Sequence, residues 1–295
     1  MISKLRSFLG RPQPLDPVED AGPDLRAQVR RLEIRTRQAM QAGLTGQYQS
    51  AFRGLGLEFE EVREYRTGDD IRTIDWNVTA KTGELHVKRF REERDLTVLL
   101  VVDLSASTRF GSGVMTVHDL IAEVSSLFAL AAARRDRVGA ILFDDSVRRV
   151  VPPRLGWRHG LRVVREVLGA VPGGHGTALS DALRAAGRML RRRGVVVVVV
   201  DRACSMPRKE LLALGARHEV VVVKVGDPLL RRGMTEGAMP VVDLEAGRRT
   251  VLHGAPDSRE NRVPAGIDVI ELSTDQDYLP AVKTMFRERE RRRVR

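Results

Sequence analysis

The chain is poor in several things, and each shortage removes a class of protein. A single cysteine, Cys204, in 295 residues cannot form an internal disulfide or a multi-thiolate zinc site, and it fits a reducing compartment. The six histidines (86, 118, 159, 175, 218 and 253) show no HExxH or paired spacing, so a histidine metal centre is not expected. Aromatics are only 4% of residues, too few for an obvious base-stacking platform. The longest apolar runs, LTVLLVV at 96–102 and VVVVVV at 195–200, fall far short of the roughly 20 residues a membrane-spanning helix needs and read as buried strands. The opening MISKLRSFLGRPQPLDP has neither a sustained apolar core nor a small-residue cleavage site, so no secretion signal is expected and the cytoplasm is the expected location. No segment ends in the GK[ST] of a Walker A loop, so ATP hydrolysis would fall to another chain.

Positive charge is abundant. Fifty basic against 39 acidic residues give +11, which raises nucleic acid or an anionic surface as a partner. Only six of the fifty are Lys, however, and an Arg skew of that size reads as coding habit more than as a binding face. The closing FRERERRRVR carries six Arg and two Glu and is expected to be a solvated basic tail. Specific nucleic-acid binding is therefore the alternative and not the main expectation. Peripheral membrane attachment through this tail or the 25–42 helix is weaker still, because the helix's apolar face is short and Arg-interrupted.

Residues 1–24 end in a Pro-, Gly- and acid-rich stretch and read as a flexible lead-in. Residues 25–95 read as a helix over 25–42, ending at Gly43, followed by a small β-rich subdomain of short strands and Gly turns. From 96 onward, apolar strands alternate with amphipathic helices. Strands are expected at 96–102, 138–143, 147–151, 195–200, 219–225 and 267–272, with helices near 117–131, 157–170, 177–192, 207–217 and 275–292. Residues 240–253 read as a hairpin. The fold class is therefore α/β, a doubly wound, mainly parallel, Rossmann-like sheet over 96–295 with an N-terminal β-rich subdomain.

In such a sheet, ligands bind beyond the carboxyl ends of strands, where the strand order reverses. The first strand ends in Asp103-Leu104-Ser105-Ala106-Ser107, whose alternation aims one carboxylate and two hydroxyls at a common point. Gly173-Gly174-His175-Gly176-Thr177 adds a hydroxyl ahead of a helix, and the valine strand ends at Asp201. With strand order 3-2-1-4-5-6, Asp103 and Asp201 lie on adjacent strands with the Thr177 loop over the same crevice. Hard oxygen donors of this kind suit Mg2+ or Mn2+. Taken singly, Asp103 or a serine could cap the next helix, Thr177 could be an N-cap, and Asp201 a strand-end cap.

Residues 96–205 resemble a von Willebrand factor A domain, with DLSAS, Thr177 and Asp201 matching that fold's metal-ion-dependent adhesion site. The preceding Arg63-Glu64-Tyr65-Arg66 and the block Gly68-Asp69-Asp70-Ile71-Arg72-Thr73-Ile74-Asp75-Trp76, with Glu92 and Glu93, are similar to the signature of the bacterial family called domain of unknown function 58. The resemblance implies a von Willebrand A-like protein acting with a MoxR-type AAA ATPase in chaperone-like assembly or maturation, with no known enzymatic reaction. It implies that Asp103, Ser105, Ser107, Thr177 and Asp201 hold Mg2+ (or Mn2+), and that a carboxylate-bearing protein ligand completes the coordination shell. One departure concerns the last ligand: Asp201 follows Val200, where the family often has a small residue, and precedes Arg202, whose charge could compete with a cation. Two readings stand for the block. Arg66, Asp69, Asp70, Arg72 and Asp75 form a docking surface for the ATPase, or Asp69 and Asp70 shape a turn, Asp75 pairs with Arg66 or Arg72, and Trp76 anchors the subdomain against the sheet.

Enzymatic readings fail on particular residues. An aspartyl phosphatase needs a second carboxylate two positions after Asp103, where Ser105 stands, and a cysteine phosphatase needs an Arg six positions after Cys204, where Glu210 stands. A metal-dependent hydrolase is the remaining enzymatic alternative.

Overall fold

The computed structural model describes residues 23–39, 43–52, 57–92, 96–174, 176–232, 239–242, 249–252 and 261–294. The expected lead-in lies outside them up to residue 22, as do Glu93 and His175. Pro23 and Asp24 already belong to helix α1 (Pro23–Ala39).

The core is a sheet of six strands: β3 (Thr97–Asp103), β4 (Arg137–Phe143), β5 (Val147–Arg154), β6 (Val195–Asp201), β7 (Glu219–Gly226) and β10 (Asp268–Ser273). Their spatial order is β10-β7-β6-β3-β4-β5, the expected 3-2-1-4-5-6. All pairings are parallel except β4 with β5, so the sheet is mainly parallel with one antiparallel edge. Strand β6 follows from its sequence: β-branched side chains favour the pleated backbone, and all six valines are fully buried because helices cover both faces. On one face lie α4 (Val117–Ala132), α5 (Trp157–Leu168) and α9 (Leu279–Val294), over Val98, Leu100, Val197 and Val223. On the other lie α6 (Leu179–Met189) and α7 (Arg208–Gly215), over Leu99, Val101, Val198 and Val222, and a short α8 (Pro228–Arg232) follows β7. Helix α4 begins at a capping box, Thr116 Oγ1 accepting from Asp119 N at 3.1 Å while the Asp119 carboxylate accepts from Thr116 N at 2.9 Å.

The hairpin expected at 240–253 is present as β8 (Met239–Val242) against β9 (Arg249–Leu252). The region expected to be β-rich contains two strands, β1 (Leu57–Glu64) and β2 (His86–Glu92), paired antiparallel. Between them is a helix, α3 (Trp76–Thr82), that the strand-like reading of TIDWNVTAKT missed. Its signals are local: Asp75 caps the first turn and Gly83, at φ +78°, ends the last. Helix α2 (Thr45–Phe52) was also unforeseen. It packs on α9, placing Tyr48 and Phe52 against Phe286 with ring centroids 5.9 Å apart, so the N-terminal helical segment joins the core of the sheet domain.

This packing corrects the expectation of a solvated tail in part: Arg287, Arg291 and Arg292 are exposed, but Phe286 and Arg289 are buried. Arg289 is only 5% exposed, its guanidinium lies 4.7 Å from the Phe52 ring centre, and it donates to Asp268 and, at 2.7 Å, to Glu219. Helix α9 therefore fastens to the starts of β10 and β7 through a charge buried under aromatic cover. Replacing Arg289 by Ala leaves two carboxylates without their shared cation and is expected to cost about 3 kcal/mol in urea unfolding. Arg292→Ala, which removes a largely exposed partner of Asp268, is expected to cost about 0.5 kcal/mol.

Candidate functional site

The site forms where the strand order reverses, at the carboxyl ends of β3, β4 and β6. Asp103, the last residue of β3, has no exposed surface. Its Oδ1 accepts from Ser105 N at 2.8 Å, and its Oδ2 accepts from Asp201 N at 3.3 Å, joining the ends of β3 and β6. The Ser105 and Ser107 hydroxyls lie 3.1 Å apart. Thr108 Oγ1 donates to Ser105 O at 2.7 Å and closes a short 3-10 turn, Ala106–Arg109, which holds this geometry. Ser105 occupies the N-cap position of that turn, but its hydroxyl makes no capping bond.

The loop carrying Thr177 is fastened at both ends. Gly173 N donates to Leu104 O at 2.8 Å and forms a bridge beside Ser105, and Ala178 N donates to Asp144 O at 2.6 Å. Gly174, at φ +78°, lies against Asp144, and a Cβ there would meet Asp144 Cγ at 2.9 Å, so glycine is required twice over. The N-cap of α6 is Ala178, with no side-chain capping bond, so Thr177 is not the cap. Asp201, 5% exposed, accepts from Ala203 N at 2.8 Å. Its strand-end capping role is real, and it coexists with a place beside Asp103. Arg202 does not crowd the cluster: its stem packs over Gly226 and its guanidinium lies 3.3 Å from Glu271 on β10.

Electrostatics single out Asp103. Burial, reinforced by the like charge of Asp201, pushes its pKa up from 3.8 to about 6 even though hydrogen bonds from Ser105 favour the charged form. Among the described residues no cationic side chain pairs with it. Two carboxylates, two serine hydroxyls and a threonine loop near one strand-end crevice are hard donors of the kind that would suit a small divalent cation, and a cation there would offset the burial of Asp103. Among the described residues no three His, Cys, Asp or Glu side chains converge, so hydroxyls must supply part of any shell.

Two acids that the sequence reading passed over share this edge. Asp144 directly follows β4 and is 1% exposed, and burial together with its neighbour Asp145 raises its pKa while Arg148 opposes at 3.4 Å. Asp227 directly follows β7 and is also 1% exposed. Burial disfavours its charge, but bonds from Ser112 N and Oγ, Leu229 N and Thr274 Oγ1 outweigh it and lower its pKa. It latches the loop after the serines to β7 and β10. The available signal was repetition: apolar strands ending in Asp.

The block before β2 divides between the two readings. Arg63 grips Asp69 with two hydrogen bonds, 2.8 and 2.7 Å, and Asp69 also accepts from Arg66 N. Asp70 caps a 3-10 turn at Ile71–Thr73. Asp75 caps α3 and lies 3.5 Å from Lys88, not beside Arg66 or Arg72 as expected. These acids shape the turn. Trp76 does not anchor the subdomain: it is 67% exposed, and Ile71 is 69% exposed. Arg66 and Arg72 are exposed as well.

Fold and cluster together define a class, a doubly wound, mainly parallel α/β domain with carboxylates and hydroxyls at the carboxyl edge of its strands. The chain belongs to the family described as "Protein of unknown function DUF58", whose profile matches residues 61–264. An uncharacterized protein of Mycobacterium tuberculosis is 31% identical over 289 residues, covering 91% of each chain. The magnesium-chelatase 60 kDa subunit of Cereibacter sphaeroides is 31% identical over 123 residues, 40% of this chain and 21% of that protein. Among solved structures, a von Willebrand factor type A protein from Catenulispora acidiphila aligns with a TM-score of 0.38 at 11% identity, over 67% of this chain and 42% of that one.

The raised pKa of Asp103 fixes the sign of a pH effect. Its folded value of about 6 lies above 3.8, so the buried charge costs stability above pH 6, and the cost is relieved as pH falls through 6 toward 4. Asp103→Asn keeps an acceptor for Ser105 N, gives up the longer, 3.3 Å bond from Asp201 N and removes the charge. In chelator at pH 8 it is expected to be more stable than the wild type by up to about 3 kcal/mol. By about pH 5 the difference should fall to roughly half, and near pH 4 it should approach zero, as followed by thermal unfolding.

Proposed function

We propose that this protein is a non-catalytic, divalent-cation-dependent interaction module that serves a MoxR-type AAA ATPase in assembly or maturation of client proteins in the cytoplasm. Asp103, Ser105, Ser107, Thr177 and Asp201 would hold Mg2+ or Mn2+. The observation that carries this is the fully buried Asp103, with no cationic partner among the described residues, set against Asp201 and the two serine hydroxyls at the crevice. Such a cation, short of protein ligands, keeps water in its shell, and a carboxylate from a partner can replace one water. The chain's own contribution is to hold the oxygens at fixed positions, through the Thr108–Ser105 bond and the Gly173–Leu104 bond, and to keep them out of bulk solvent. Similarity to a protein named as a subunit of a magnesium chelatase supports a role inside a larger assembly.

Magnesium at a hundredfold excess over its dissociation constant is expected to stabilise the wild type by about 2.7 kcal/mol. Asp103→Ala is expected to abolish that stabilisation and Mg2+-dependent capture of the ATPase, while its circular dichroism spectrum stays unchanged. Unaltered magnesium titration and pull-down in the variant would refute the proposal.

The exposed Trp76 and Ile71, with Arg66 and Arg72, supply a second contact surface for the ATPase, since Trp and Arg carry a large share of binding energy at interfaces. The bonds made by Asp69, Asp70 and Asp75 hold it rigid. Trp76→Ser is expected to change stability by less than about 0.5 kcal/mol. It should also weaken ATPase binding at least tenfold by calorimetry, about 1.4 kcal/mol.

A further inference from the structure

Next to the cluster the surface falls into a groove of about 520 Å³, inside the roughly 300–1,000 Å³ range of ligand sites. It is lined by Thr177, Leu179 and Ser180 at the start of α6 and by the stretch 205–208 that leads into α7. Thr177 lines the groove and is one of the proposed cation ligands, so on that reading a group coordinated at the cluster would continue into the groove. Leu179 and Met206 are 2% and 5% exposed and give an apolar floor. The one charged side chain among the described lining residues is Arg208. It is exposed and makes no ion pair among the described residues, and Lys209 follows it, exposed. Asp181 and Glu210, close in sequence to lining residues, both hold Arg184, Glu210 at 2.9 Å.

Resting on the cation-dependent reading above, we infer that the groove selects the partner by the residues flanking its coordinating carboxylate. The occupant is an acidic peptide segment. One Asp or Glu reaches the cation, an adjacent aliphatic or Met side chain sits on Leu179, Met206 and Pro207, and a second carboxylate meets Arg208. Charge complementarity and the shared Thr177 favour this over a phosphodiester, which has no apolar group for the floor and would not need the cluster. A partly exposed Arg–carboxylate pair is worth up to about 1 kcal/mol, close to a fivefold change in affinity.

The test uses the full chain, immobilised, and a randomised dodecapeptide library selected in Mg2+ and in EDTA. In Mg2+ the recovered peptides are expected to share an acid, a neighbouring aliphatic residue and a second acid, and EDTA should abolish recovery. Arg208→Glu should keep the first acid, lose the second and bind the selected peptide about fivefold more weakly. Ser180→Trp, which fills the groove, should lose the aliphatic preference. Both variants should bind Mn2+ as the wild type does, by electron paramagnetic resonance. Mn2+ binding with no peptides recovered, or with a single acid and no flanking preference, or with a preference unchanged in Arg208→Glu, overturns the groove and leaves the cluster standing. No Mn2+ binding by the wild type overturns the cluster reading and the groove with it. Cation-independent binding of a fluorescent oligothymidylate that is lost in Arg208→Glu would assign the groove to nucleic acid and overturn the inference.

Discussion

A carboxylate with no exposed surface, at the end of the central strand of a parallel sheet, is the constraint around which the rest of the structure is arranged. Asp103 can remain there only because neighbouring backbone donates to it: Ser105 N from its own loop and Asp201 N from the adjacent strand. Those two bonds fix the direction in which the chain leaves β3 and the alignment of β6 beside it. On the other side Asp103 is in register with Phe143, and Leu104 N donates to Phe143 O at 2.7 Å, so β4 is tied to the same point. Three strands thus end together, and the crevice above them follows from the reversal of strand order.

The same edge repeats the device. Asp103, Asp144, Asp201 and Asp227 stand at the ends of four adjacent strands, each 5% exposed or less, yet their environments differ. Asp227 is saturated with donors and works as a latch between the Ser112 loop and the β7–β10 edge. Asp144 faces Arg148 and supports the Gly174 turn from beneath. Asp103 has backbone and hydroxyl donors but no cation among the described residues, and it is this difference on which the proposed cation site rests.

Much of this was legible in the sequence because its causes are local. Buried parallel strands need unbroken β-branched runs, and a strand-end carboxylate followed by alternating hydroxyls has few ways to fold. The misses have long-range causes. Arg289 looks like part of a charged tail until Phe52, Asp268 and Glu219 are brought to it from distant parts of the chain. Trp76 reads as an anchor from its size, yet it occupies the first turn of α3, whose capping by Asp75 turns its side chain out to solvent. Helix α3 itself was hidden by β-branched residues that a short capped helix tolerates.

Net charge is where physical arrangement most changes the meaning of composition. Many arginines are committed to internal work: Arg149 and Arg162 share Glu166, Arg193 and Arg289 share Glu219, and Arg289 and Arg292 share Asp268. A value of +11 therefore does not imply a basic face offered to nucleic acid. The acids of the site edge lie inside a positively charged molecule, a field that opposes cation entry from a distance and favours approach of an anionic partner. Under the proposed function, a divalent ion would have to be held by short-range coordination at Asp103, and an anionic partner would benefit both from the ion and from the exposed Arg208 beside the groove. On that reading the partner's carboxylate would help to stabilise the bound cation, so each should bind more tightly in the presence of the other.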